Sequence, residues 1–379
     1  MNILQLEIRT GVHIIIDYFA ATFPFICYEE DDEYKIIDDI LMIIIEFLGL
    51  TKEEIVKQDF VQNRFNYQYK LGQFIILRLI GPELKSGHKS CSIEFKGDGC
   101  REFEALSPKK TWIDFLVFFV IKLNASPSRI DLAIDDYEGK YITMDNIKRK
   151  LDGKQFTSSF KDKDYTIHGS DKKGFSIQFG SRTSTQMLVI YEKLKEQITK
   201  GIDCFQTYWL RFEMRYYKEK AHNVCMCLID NGMEGFRNYV FGLLYQMIDL
   251  KEETNYGDEN LHKAGTYLSW KQFLEEAEKA KIEKYKIRVN GFETYKNWVS
   301  PLASFYLLNL ILHQSKDIKS ALLTMLRETI ITITNIDKRK IKKINSYLIE
   351  KSLTKISLKD LLVIKEKVLN YINVEELPF

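Results

Sequence analysis

At 379 residues the chain exceeds the usual size of a single domain, so two domains are expected. Its 45% hydrophobic and 13% aromatic content supports a sizeable core, which excludes a chain disordered throughout. The net charge of +2 is nearly balanced, so only the local arrangement of charge bears on nucleic acid.

The first residues, Met1 to Glu7, lack a basic region leading into an apolar run, so no signal peptide is expected. Gly11 to Phe23 is a β-rich run. Acidic Glu29 to Glu33 suits the amino end of a helix over Ile36 to Leu48. The apolar stretch Ile40 to Leu48 is too short to span a bilayer and is broken by Glu46, which predicts a soluble, cytoplasmic protein with no membrane partner. Phe74 to Ile80 and Cys91 to Phe95 read as strands of a meander. Thr111 to Leu123 reads as a helix, Ile130 to Asp135 as a strand and Thr143 to Leu151 as a helix. Tyr165 to His168 and Phe175 to Phe179 form a hairpin across a Gly- and Lys-rich turn, and Gln186 to Ile190 and Tyr208 to Tyr216 complete the sheet. From about Asn223 the pattern turns helical. Lys251 to Gly265 reads as a linker, followed by amphipathic helices from Leu268 to Tyr371.

This is an α+β pattern: a mainly antiparallel sheet flanked by helices over residues 1–250, then a smaller all-α domain over 251–379. No internal repeat is visible. The six cysteines form no CxxC pair, so reduced thiols are expected rather than a zinc site.

Alternation across strands sorts the charges. Arg129, Asp131, Ala133 and Asp135 share one face; so do Arg211, Glu213 and Arg215 on a later strand, and Met187, Val189, Tyr191 and Lys193 on a third. Aligned as neighbours, these strands would gather Asp131, Glu213, Arg211, Tyr191 and Lys193 into one polar patch. A sheet wetted on one face shows the same alternation with its charges merely solvated. Against that bland reading, Asp131 and Asp135 stand close on one face of a short run, and they repel unless a cation neutralises them. With such neighbours, Tyr191 is a candidate nucleophile for a phosphodiester. A phenol titrates near ~10 and must be activated by a base or cation. A hard ion such as Mg²⁺, held by one or two carboxylates, suits that chemistry, with Lys193 and an arginine stabilising charge on phosphoryl oxygens. The six histidines are scattered and form no His-x-His pair, so an oxygen-rich site remains.

Taken together, these segments resemble the rolling-circle replication initiators of Gram-positive plasmids and the related relaxases of integrative conjugative elements and phages. The matching pieces are Arg129 to Asp135, Phe179 to Arg182, Ile190 to Lys193 and Arg211 to Met214, in that order. Ile16 to Phe19, Gly97 to Glu104, Trp270 to Leu274 and Trp298 to Ala303 are similar to the relaxase side. Glu192 departs from the Asn or Asp that relatives more often carry. The resemblance implies a nickase that forms a 5′-phosphotyrosine adduct on origin DNA, single-stranded or hairpin, and rejoins it. Tyr191 would be the nucleophile, helped by Lys193 and Arg211. Asp131 and Glu213 would hold Mg²⁺ or Mn²⁺, with Asp135 a third ligand. Arg129, Arg101 and Arg182 would contact DNA, and the helical tail would recognise the origin. Its basic run with Lys338, Arg339 and Lys340 either tracks phosphates or is a solvated helix face. A host helicase and a homodimer are further expected partners. The rival is a non-catalytic DNA-binding regulator on the same scaffold. Plasmid copying and conjugative transfer need the same nick.

Overall fold

The computed structural model describes residues 10–25, 33–61, 65–82, 89–160, 165–181, 183–254 and 256–285, with Glu366. In chain order the first elements are β1 (Val12–Phe25), α1 (Glu33–Leu48), β2 (Ile55–Lys57), β3 (Tyr67–Leu71), β4 (Ile75–Leu79), β5 (Lys89–Phe95), α2 (Gly97–Leu106) and α3 (Trp112–Leu116). Then come β6 (Ser126–Asp136), α4 (Met144–Asp152), β7 (Phe156–Ser158), β8 (Tyr165–Ser170), β9 (Gly174–Phe179), β10 (Gln186–Glu192), α5 (Lys193–Thr199), β11 (Leu210–Tyr217), α6 (Lys218–Met247), β12 (Ile248–Leu250) and α7 (Leu268–Phe273).

Ten of these strands form one sheet in the order β2-β3-β4-β5-β1-β6-β11-β10-β9-β8. Each of its nine neighbouring pairs is antiparallel. This is the expected α+β class. The order holds a repeat that the sequence hides. On each side of the β1–β6 seam a long strand leads to a helix, and the following strands fold back until the last pairs with the first. β1-β5-β4-β3-β2 thus corresponds to β6-β11-β10-β9-β8.

Alternation explains the two faces. Phe19, Phe95, Ile130, Leu132, Ile134, Phe212 and Met214 point to one side and are buried. There Phe19 and Phe95 meet Phe115 and Phe119, and Phe103 of α2 packs on Phe115, with ring centroids 4.9–6.4 Å apart. Helix α6 packs on β6 and β11. The start of α3 is fixed by a reciprocal cap: Asp114 N donates to Thr111 Oγ1 at 3.1 Å, and Thr111 N donates to the Asp114 carboxylate at 2.8 Å. The opposite face of the sheet carries the charged residues.

The chain divides into two compact units, Met1–Ile287 and Arg288–Phe379, so the first extends past the expected boundary at 250. The stretch read as a linker is held in place. Lys251 is buried, its Nζ 2.9 Å from Asp249 and donating to Ala264 O at 2.9 Å. Trp270 of α7 is fully buried, stacks on Phe273 and meets Phe212 of the sheet. Polar composition misled here because a buried ion pair, not an apolar run, fixes the segment. Arg182, Lys338, Arg339, Lys340 and the helices expected beyond residue 300 lie outside the described residues. Among the described residues no helix is long and apolar enough to cross a membrane.

Candidate active site on the open face of the sheet

Strands β6, β11 and β10 are neighbours, and their register puts the charged faces in line. Asp135 pairs with Arg211 and Arg211 with Tyr191; Ala133 pairs with Glu213, and Asp131 with Arg215. Tyr191 donates its hydroxyl hydrogen bond to Glu213 Oε2 at 3.1 Å. The other oxygen of Glu213 accepts from Arg215 Nε at 2.7 Å, and the same nitrogen lies 4.0 Å from Asp131 Oδ2. Lys193 Nζ sits 5.5 Å from the centre of the Tyr191 ring and pairs with Glu196 at 2.7 Å. The structure therefore brings together Tyr191, Glu213, Asp131, Arg211 and Lys193, with Arg215 among them.

Other expected residues take different places. Asp135 is tied on both oxygens by Arg211, at 2.6 and 2.8 Å, which leaves it as an anchor for the guanidinium rather than a ligand facing outward. Arg129 grips Asp131 through Nε (2.9 Å) and Nη2 (2.5 Å) and lies over the Tyr18 ring at 4.1 Å. Arg101, expected at DNA, turns inward: it donates to Ile16 O at 2.7 Å and pairs with Glu104 at 2.7 Å.

The contact missing from the sequence reading is Asp17. A register shift in β1 between Ile16 and Tyr18 leaves Asp17 as an extra residue, and it reaches Arg211 Nη1 at 3.0 Å. Arg101 braces the backbone beside it. The irregular step is what strict alternation cannot show, although Asp17 fell in a segment that the family resemblance had marked.

Burial drives the electrostatics. Tyr191 is held well above the usual phenol range, because burial and the Glu213 and Asp17 carboxylates outweigh Arg211. Its hydroxyl therefore keeps its proton in the resting site. Asp17 is held low: burial would raise it, but Arg211, Lys193 and Arg101 prevail. Arg211 is raised despite burial by Asp135 and Asp17. Asp131 is pushed up to about 6, by burial first and by Glu213, against Arg129.

Asp131 has a measurable consequence. The folded state holds its proton more tightly than the unfolded chain, about 6 against 3.8. Stability from this group is therefore full below about pH 4 and lost as pH rises through 6, by about 3 kcal/mol at full ionisation. Asp17 and Glu94, held low by Arg211 and by Tyr18 with Arg78, shift the opposite way over that window. The expected result thus lies in a difference. Asp131→Asn should gain on the wild type by up to about 3 kcal/mol between pH 4 and pH 8 in urea denaturation without divalent ions. A gap that is flat with pH contradicts it.

Among the described residues no group of three or more His, Cys, Asp and Glu converges as a cage. Asp131 and Glu213 nonetheless share one cation already, the Arg215 guanidinium. Asp131 is also held on both oxygens by Arg129, so a hard ion between the two carboxylates would have to displace a guanidinium and would keep most of its shell for water and phosphate oxygens.

A model described as replication initiation factor matches residues 126–323, just over half of the chain. One described as rolling circle replication initiation protein N-terminal domain matches residues 13–118. The two matches fall on the two halves of the sheet. A protein of Bacillus subtilis (strain 168) named putative DNA relaxase NicK is 26% identical over 277 residues, covering 69% of this chain and 73% of that protein. The solved structure of a rolling circle replication initiator protein from Geobacillus stearothermophilus superposes with a TM-score of 0.56 at 21% identity, covering 73% of this chain and all of that one, which shows a shared fold. The chain belongs to the replication initiation factor family, and its first part matches the N-terminal domain of rolling circle replication initiation proteins.

Proposed function

We propose that the protein nicks one strand of origin DNA by attack of Tyr191 and later reseals it. The observation that carries this reading is the 3.1 Å hydrogen bond from the Tyr191 hydroxyl to Glu213 beside Arg211. Because the resting phenol is protonated, it needs a base at the moment of attack, and Glu213 is already in place to take the proton. Arg211 favours the developing phenolate through charge, its three contacts to Asp135 and Asp17 keeping it fixed beside the ring. Lys193 would exchange its partner Glu196 for a phosphate oxygen. Asp131 and Glu213 would hold Mg²⁺ or Mn²⁺ where they now share Arg215, and the bound ion would supply Lewis-acid polarisation of the scissile phosphate.

The product is a 5′-phosphotyrosine ester and a free 3′ hydroxyl, so the bond energy is kept for rejoining. In this reading the chain beyond residue 287 contributes origin recognition, and a host helicase opens the duplex ahead of the nick. The test mixes the purified protein with tiled single-stranded oligonucleotides from the DNA around its own gene, 3′-labelled, in Mg²⁺ or Mn²⁺. A labelled adduct that survives denaturation and maps to the Tyr191 peptide is the expected result. Binding without any cleavage would instead favour a DNA-binding regulator.

A further inference from the structure

The two carboxylates assigned to the ion are each closed by a guanidinium. Arg129 holds Asp131 through Nε at 2.9 Å and Nη2 at 2.5 Å, one bond to each oxygen. Arg215 Nε donates to Glu213 Oε1 at 2.7 Å and stands 4.0 Å from Asp131 Oδ2. With all four groups ionised, two negative and two positive charges cancel. A bare pair of carboxylates would draw a divalent ion strongly; this neutral quartet draws it weakly.

Arg129 is placed so that it can change partner. It pairs with Ala20 of β1 on one side and with Tyr217 of β11 on the other. Its guanidinium carbon lies 4.1 Å from the centre of the Tyr18 ring and 5.5 Å from that of Tyr217. Both rings attract the cation whichever anion it holds. The Tyr18 ring is itself fixed, because its hydroxyl donates to Glu94 Oε1 at 2.5 Å and Arg78 Nη2 holds Glu94 Oε2 at 3.1 Å. The Arg129 side chain is 29% exposed, against 5% for Arg211, so a phosphate can reach it. The planar fork suits phosphate oxygens as well as a carboxylate.

We propose that Arg129 is a positioning residue that couples the ion to the strand. It closes Asp131 in the resting site and passes to a phosphate of single-stranded DNA when the strand binds, which frees Asp131 for Mg²⁺ or Mn²⁺. This rests on the nicking reading above and adds an order to it. Without DNA, an ion between Asp131 and Glu213 leaves an unpaired guanidinium beside a double positive charge. With DNA, the phosphates supply the missing negative charge and a flat partner for the fork. Ion and strand therefore raise each other's affinity by one and the same factor. The site stays poor in ion until a strand is present, so Tyr191 is not activated in its absence.

The experiment uses full-length Tyr191→Phe protein, in which the strand stays whole, and the tiled oligonucleotide that it binds most tightly. Free Mn²⁺ is followed by its electron paramagnetic resonance signal and DNA binding by fluorescence anisotropy. Mn²⁺ should bind at least roughly tenfold more tightly with the oligonucleotide than without it, and the oligonucleotide should gain by the same factor from Mn²⁺. Adding Arg129→Gln, which removes the charge, should tighten Mn²⁺ binding without DNA at least roughly tenfold and bring the coupling below about threefold. Arg129→Lys should return the DNA-free affinity to within about threefold of the parent. Adding Asp131→Asn should remove the strand-dependent Mn²⁺, which places the ion. Three results would each overturn the proposal: coupling below about threefold in the parent, DNA-free binding unchanged in a folded Arg129→Gln variant, or strand-dependent Mn²⁺ that survives Asp131→Asn. The parent titrations decide it even where a variant fails to fold. Wild-type protein run beside them with 3′-labelled strand separates the two readings. Coupling without any adduct overturns the nicking reading and leaves the coupling standing; an adduct without coupling overturns this proposal alone.

Discussion

Tyr191→Phe is expected to abolish the covalent adduct, lowering nicking by at least roughly 10³-fold, while affinity for single-stranded DNA stays within about threefold. The substitution removes one oxygen and leaves the ring in place, so Lys193 keeps its position above it. The lost hydrogen bond to Glu213 is worth only about 1 kcal/mol to the fold. Activity and stability should thus separate cleanly. An adduct that persists at that peptide's equivalent, or cleavage at wild-type rate, would remove Tyr191 from the chemistry.

The second large effect is on stability. Arg211 bonds three carboxylate oxygens, two of Asp135 and one of Asp17, and Asp135 is wholly buried. Removing the guanidinium strands a buried negative charge beside a second one. Arg211→Met should therefore cost about 3–5 kcal/mol, a fall in Tm on the order of 10 °C. Arg211→Lys should recover less than half of that, because one ammonium cannot span the fork to two partners. Adding Asp135→Asn to Arg211→Met should restore part of the loss, since the two sites share one interaction. Melting curves decide it. A single variant that melts within 2 °C of wild type would show the triplet to be incidental, as exposed ion pairs often are.

Much of this site could be read from strand alternation alone. Arg129 to Asp135, Met187 to Tyr191 and Arg211 to Arg215 were sorted to the correct faces because a period of two leaves no choice once the strand is recognised, whereas Lys193 lies past the end of β10, in the first turn of α5. What alternation cannot give is which strands adjoin, and β6 lies beside β11 rather than beside anything near it in the chain. It also cannot tell a carboxylate that faces outward from one that is tied. Asp135 and Asp131 look alike in sequence, and both prove tied on both oxygens, the first by the buried Arg211 and the second by the more exposed Arg129. Arg101 looked like a surface cation and is used inside, against the irregular step in β1. Helix α2 opens on Gly97 and Gly99, and the buried Cys100 and Phe103 that hold it down come later. The duplication stayed hidden because the two halves have diverged in residue type, with Arg78 standing where the other half has Tyr191.

The seam between β1 and β6 also sets the order in which the chain can be assembled. β1 finds β5 as soon as residue 95 has been made, but its other side, ten paired positions long, has no partner until β6 is complete at Asp136. During synthesis at the ribosome the growing chain therefore exposes a bare and strongly apolar strand edge for some forty further residues. That interval, rather than the finished sheet, is where a chaperone would be needed and where a slowed codon run would do the most harm.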